Sequence, residues 1–339
     1  MILLTAACCG LLLQYLEVPL GALIGAIFGA AIATLIQGGG GLHLALRCTG
    51  QVIAGIAIGL NFVPAAVDQM VAYSALILAA AVMSVASGLA MMALVTRLGK
   101  VDRTTAFFST TPGGVAEMSV LAERYGGDSA LVGLAQTLRV LLVVFLVPAG
   151  LGLMGWHGTV PVAAAPVPFA PHALAAVTVA AMLASLLLGR LHIPNAWLLG
   201  GLVAGIFVAY SGIAEVAVPG WAFTLSQLLI GGSLGARFQR DKLLAARRFL
   251  PATIAGTLAV IVVMSLFAAL LSSWTSIDLA TLILSLAPGG IAEMSITAKS
   301  LGLGVVTVTC FHLVRIVFIL LVTVPLYRLL TRISRHASH

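Results

Sequence analysis

Two carboxylates stand out in a chain with few charges. Glu117 lies in the octapeptide Pro112-Gly113-Gly114-Val115-Ala116-Glu117-Met118-Ser119, which returns as Pro288-Gly289-Gly290-Ile291-Ala292-Glu293-Met294-Ser295. Both copies are embedded in apolar sequence. A carboxylate at membrane depth costs at least ~2.5 kcal/mol and is a functional candidate by default. Either glutamate would serve as a proton-coupling group or a cation ligand. The alternative is an internal ion pair, Glu117 with Arg139 and Glu293 with Arg315. Ser119 and Ser295 follow two residues later, as ion ligands or as donors to their own backbone.

The residues ahead of each glutamate predict a broken helix. Proline lacks a backbone donor and clashes with the preceding turn, and two glycines weaken any continuation. Backbone groups left unpaired at that depth are tolerated where they line a cavity or are buried in protein. A half-helix N-terminus then favours an anion, and the carbonyls of the preceding half-helix favour a cation. Arg139 and Arg315 lie in the last apolar segment of each copy, too deep to reach water. Each can pair with a glutamate or clamp a carboxylate or phosphate. Gln136 and His312 precede them by three residues and so share their helix face. His312 reads equally as a proton relay or a hydrogen-bonded helix contact.

These residues belong to a duplication that runs along the chain. The octapeptides are 176 residues apart, and the same offset places Gln51, Gly55, Gly59 and Phe62 on Gln227, Gly231, Gly235 and Phe238. Arg139 falls on Arg315, and Gln136 on His312. Matches spaced along the length at one offset mark a repeat. The expected organisation is a first repeat over 1–155, a proline-rich linker at 156–171, a second repeat over 172–327 and a basic tail at 328–339. Each repeat divides into six apolar segments, about 2–16, 19–36, 48–63, 70–96, 104–122 and 129–155 in the first. In the second they are about 172–189, 194–213, 221–236, 249–273, 279–298 and 302–327. Pro19 and Pro194 are expected to begin helices, and the GxxxG pairs to pack helices closely.

Charge selects a topology. If all six segments of each half cross, lysines and arginines divide almost evenly between the two faces. If the Pro-Gly-Gly segment makes no net crossing, the halves are inverted. Arg47, Arg97, Lys100, Arg103, Arg124, Arg190, the run Arg237–Arg248 and the tail arginines then share one face, leaving Lys299 on the other. The positive-inside rule favours the second arrangement. It predicts an all-α integral membrane protein with two inverted-topology repeats. About ten transmembrane helices, five in each half, are joined by two interrupted or re-entrant Pro-Gly-Gly segments.

Composition excludes other classes. The 339 residues are 61% hydrophobic and 8% charged, against roughly 25% charged in soluble domains, and the mean hydropathy is +1.17. The net charge of +7 sits in short connections, which fits membrane orientation rather than nucleic-acid binding. Cys8, Cys9, Cys48 and Cys310 have no metal-site spacing. No enzyme motif is present, so no catalytic residue, metal or cofactor is expected. The apolar start carries no basic residue, so no cleaved signal peptide is expected.

The paired Pro-Gly-Gly-Val/Ile-Ala-Glu-Met-Ser motifs, in half-length repeats, resemble the AbrB membrane-protein family and its AbrB duplication. That family is distantly similar to the superfamily of cation–proton antiporters, bile-acid symporters and glutamate or citrate carriers. The resemblance implies inverted halves with interrupted helices at a substrate site and carries a transport role onto Pro112–Ser119 and Pro288–Ser295. Members have also been labelled ammonia monooxygenases or regulators of gene expression. This sequence offers neither a copper-ligand cluster nor a soluble DNA-binding module.

The resulting expectation is a secondary active transporter, proton- or cation-coupled, moving a small solute by alternating access. The alternatives are a membrane-embedded regulator or sensor without transport, and a channel. The expected setting is the bacterial inner membrane with both termini cytoplasmic. The partners are a small-molecule or ion substrate and lipid, and the expected assembly is a homodimer, as in many such folds.

Overall fold

The computed structural model describes residues 1–18, 20–37, 42–156, 171–213, 216–238, 240 and 246–336. Among them the secondary structure is helical, with no strand. The first half contains α1 (Ile2–Tyr15), α2 (Gly21–Gln37), α3 (Leu44–Gly59), α4 (Pro64–Ala72), α5 (Ser74–Gly99), α6 (Arg103–Thr110), α7 (Val115–Arg124) and α8 (Ser129–Leu153). The second contains α9 (Pro171–Arg190), α10 (Ala196–Ser211), α11 (Gly220–Gly235), α12 (Phe249–Ser272), α13 (Leu279–Leu286), α14 (Ile291–Ser300) and α15 (Val305–His336).

The backbone repeats where the sequence does. The bounds of α11, α13 and α14 are those of α3, α6 and α7 displaced by 176 residues. Left-handed residues recur as well, Glu17 with His192, Leu20 with Asn195 and Gly126 with Gly302. Such conformations are uncommon outside glycine, so their recurrence reports the same chain reversals in both halves.

Three local details differ from expectation. The short helix α4 opens on Pro64, a favoured first helical position, in a stretch too polar to read as a span. Helix α10 starts at Ala196, two residues past Pro194, because Asn195 is left-handed with φ 55°. Helix α15 continues to His336, so most of the expected tail is helical. Arginine is a good helix former, and Arg328 and Arg332 are one turn apart. Pro19, Lys242 and nearly all of the 156–171 linker lie outside the described residues.

Five helices, α5, α8, α9, α12 and α15, are long and apolar enough to cross a membrane, and α1, α2, α3 and α10 are shorter apolar helices. On α9, Val179, Met182, Leu183, Leu186 and Leu187 are exposed. An apolar outer surface of this kind suits lipid.

Two compact units form, and neither coincides with a half. One takes Met1–Ala72, Val144–Ala245 and Ile291–Val308; the other takes Tyr73–Val143, Ala246–Gly290 and Thr309–His339. In the first, α3 packs on α10 and α11 on α2. A Cβ on Gly55 or Gly59 would collide with the Leu198 or Leu202 carbonyl, and one on Gly231 or Gly235 with the Leu23 or Ile27 carbonyl. Each GxxxG helix of one half therefore lies backbone-close to a helix of the other. In the second unit α5 packs against both α6 and α12, and α12 against α13. Its core includes Phe107, Phe108 and Met118 in one cluster and Met264, Leu282 and Phe311 in another.

Candidate functional site

The breaks fall at the Pro-Gly-Gly sequences. Helix α6 stops at Thr110 and α7 starts at Val115; α13 stops at Leu286 and α14 starts at Ile291. Both leading half-helices begin alike, with Asp102 Oδ1 accepting from Thr105 N–H and Asp278 Oδ1 from Thr281 N–H, each at 2.8 Å. These are ordinary N-caps. The far ends are unusual, because the last carbonyls of a helix have no partner of their own.

Side chains from α8 and α15 supply those partners. Gln136 Nε2 donates to the Phe108 and Thr111 carbonyls at 2.7 and 2.9 Å. Arg139 donates to the Thr111 and Gly113 carbonyls, both at 3.2 Å, and to Gln136 Oε1 at 2.5 Å. The second copy repeats the pattern residue for residue. His312 Nε2 meets the Leu284 carbonyl at 3.0 Å, and Arg315 donates to the Ala287 and Gly289 carbonyls at 2.6 and 2.5 Å. Arg315 also contacts His312 Nδ1 at 2.6 Å. A carbonyl on Nε2 and a guanidinium on Nδ1 require a neutral ring protonated at Nε2.

The expected ion pairs with glutamates are thus replaced by arginine–carbonyl bonds. The physical reason is the helix end, where orphan carbonyls and the negative pole of the helix dipole suit a cation. Hydrogen bonds to a charged group are worth roughly 1.5–3 kcal/mol each. Arg139 and Arg315 are 7% and 6% exposed, and the charge of Arg139 acts on Arg315. His312, held between a carbonyl and an arginine, has the geometry of the hydrogen-bonded contact.

The glutamates occupy the first turns of α7 and α14, where a carboxylate meets the positive helix pole. The Glu117 carboxylate folds over Gly114 so closely that a Cβ there would overlap Oε2. Glu117 is half-buried. Glu293 belongs to the other compact unit and is 4% exposed. Ser119 donates to the Val115 carbonyl at 2.7 Å, the backbone option. Ser295 is fully buried.

Within the second unit, Pro112, Arg139 and Pro288 line one cavity of about 20 Å³, room for about one water. The two breaks therefore meet, while Glu117 is not among the lining residues. Ser109 and Thr110 contribute from the end of α6, Ser84 and Ser87 from α5, and Thr253 and Thr257 from α12. Gly88 lets α5 approach, since a Cβ there would stand 2.8 Å from the Thr110 carbonyl. The α5 and α12 residues are not among those expected from the sequence. Their signal was the spacing, three apart for Ser84 and Ser87 and four apart for Thr253 and Thr257, which puts each pair on one helix face. No group of three metal-ligating side chains occurs among the described residues.

The site and fold define a helical protein with membrane-length apolar helices and a duplicated, arginine-capped helix break. The chain belongs to the AbrB family: the family model described as transition state regulatory protein AbrB matches residues 22–331. It is 26% identical to the Bacillus subtilis (strain 168) protein YhjN, named as uncharacterized, over 95% of this chain and 90% of that one. It is 25% identical to an Escherichia coli (strain K12) protein named as a candidate regulator, AbrB, over 87% of this chain and 86% of that one. No solved structure matches.

Proposed function

We propose that this protein is a secondary active transporter of the bacterial inner membrane, coupled to protons or a cation. In this reading each half contributes five crossings, α1, α2, α3, α5 and α8 in the first and α9, α10, α11, α12 and α15 in the second. The halves are inverted, and the two Pro-Gly-Gly breaks, at Pro112 and Pro288, line the solute site. Both termini face the cytoplasm.

One observation carries the reading: equivalent helix breaks from the two halves line one cavity, at Pro112 and Pro288. Irregular backbone at membrane depth belongs beside a cavity or inside protein. In carriers built from repeats, paired interrupted helices hold the solute near the midplane. Arg139 and Arg315, with Gln136 and His312, hold the carbonyl ends of the breaks in shape. Glu117 and Glu293, at the opposite ends, are the coupling carboxylates.

The test is flux of a panel of externally added small solutes into proteoliposomes, comparing wild type with Glu117→Gln and Glu293→Gln. Coupled uptake should fall at least tenfold in each variant. Undiminished coupled uptake in both would remove the glutamates from the mechanism, and no uptake of any solute by wild type would count against the carrier.

A further inference from the structure

The geometry points to an anion subsite in the cavity between the two breaks, formed by Arg139 Nε–H and Ser109 Oγ–H and receiving a carboxylate of a small organic acid. This deepens the carrier reading and rests on it for transport, though not for binding.

Arg139 Nε and Ser109 Oγ are buried and have no hydrogen-bond partner, on side chains 7% and 6% exposed. Both residues line the cavity. Arg139 commits its other two nitrogens to carbonyls and to Gln136, so the guanidinium is fixed while its Nε–H stays free. Two other hydroxyls around the cavity are committed as donors, Ser87 to the Ser84 carbonyl at 2.8 Å and Thr253 to the Phe249 carbonyl at 3.1 Å. The fully buried lining groups without a partner are two donors, one cationic. An unsatisfied buried donor is costly, and an ionised acceptor repays it best.

Charge selects the same class. No lining residue is acidic, and Arg315 adds a second positive charge nearby, so a cation would be repelled. The volume fits one acceptor oxygen, with the rest of the solute lying outside the cavity. The second copy lacks the feature, since Ser285, the counterpart of Ser109, donates to the Thr281 carbonyl at 2.7 Å. The duplication therefore leaves one subsite, on the first-half break.

The test is calorimetric titration of the full-length protein in detergent with sodium formate and sodium acetate. Formamide and acetamide serve as neutral isosteres, and sodium chloride as an ion control. Formate and acetate should bind saturably and the amides should not. Ser109→Ala should weaken binding about tenfold, Arg139→Lys, which keeps charge without Nε–H, should abolish it, and Ser285→Ala should leave it within about twofold. Chloride competing with formate agrees with the subsite. Chloride binding without carboxylate binding overturns the carboxylate assignment. Absence of formate and acetate binding, equal binding of the amides, or equal loss in both serine variants overturns the subsite. Formate binding without flux leaves the subsite standing and removes the carrier, whereas flux of a cation with no formate binding does the reverse.

Discussion

The break after α6 and the break after α13 descend from one sequence, yet their polar groups are used differently. Gln136 in the first corresponds to His312 in the second, and unpartnered Ser109 corresponds to self-bonded Ser285. Both breaks solve the same physical problem, orphan carbonyls inside apolar surroundings, with an arginine and a polar neighbour three residues before it. The second copy spends its polar groups on the backbone. The first keeps two donors back. Duplication thus preserves the capping device and lets one copy specialise.

Arginine removal should separate the copies most sharply. Arg315→Ala strands two buried carbonyls and a histidine nitrogen and should lower stability by about 3 kcal/mol, read as thermal unfolding in detergent. Arg139→Ala should cost somewhat less, because its carbonyl bonds are longer and Gln136 still holds Thr111. Equal losses would erase the asymmetry. Next comes Gly114→Ala, whose methyl would displace the Glu117 carboxylate. It should cost about 1–3 kcal/mol and reduce coupled uptake in the proteoliposome assay. Retained uptake would show that the carboxylate position at Gly114 is immaterial.

Smaller effects test what the copies share. Asp102→Ala and Asp278→Ala each remove an N-cap and should cost about 1 kcal/mol. Asp102 also accepts from the Thr105 hydroxyl at 2.5 Å, so Asp102→Ala removes a side-chain bond together with the cap. His312→Gln converts the second copy to the residue found in the first. It should change stability by less than about 1 kcal/mol and leave the pH profile of uptake unmoved, whereas a shifted profile would restore His312 as a proton relay.

Much of this was legible in the residues. The paired octapeptides located both breaks, and the three-residue spacing of Gln136 to Arg139 and His312 to Arg315 placed each pair on one face. What the arginines touch was not legible. A cation and a carboxylate invite pairing on paper, but the carbonyl end of α6 is a tertiary neighbour of α8, and no local pattern announces it. Ser84 and Thr253 carried no mark of their role, because nothing in a lone apolar helix says which face meets a cavity. The Gly55/Gly59 and Gly231/Gly235 pairs announced close packing without naming partners, and those partners turned out to be in the opposite half.

That exchange of glycine-lined partners bears on how the protein is made. Helix α2 docks on α11, and α3 on α10, so α3 leaves the ribosome with its main partner still untranslated, while α2 has only α1 to pack on. At roughly 5–20 residues per second, on the order of ten seconds pass between synthesis of Gln37 and Gly220. During that interval the Gly55 and Gly59 face of α3 is without the helix it packs on, and assembly of this unit must wait for the late helices to insert.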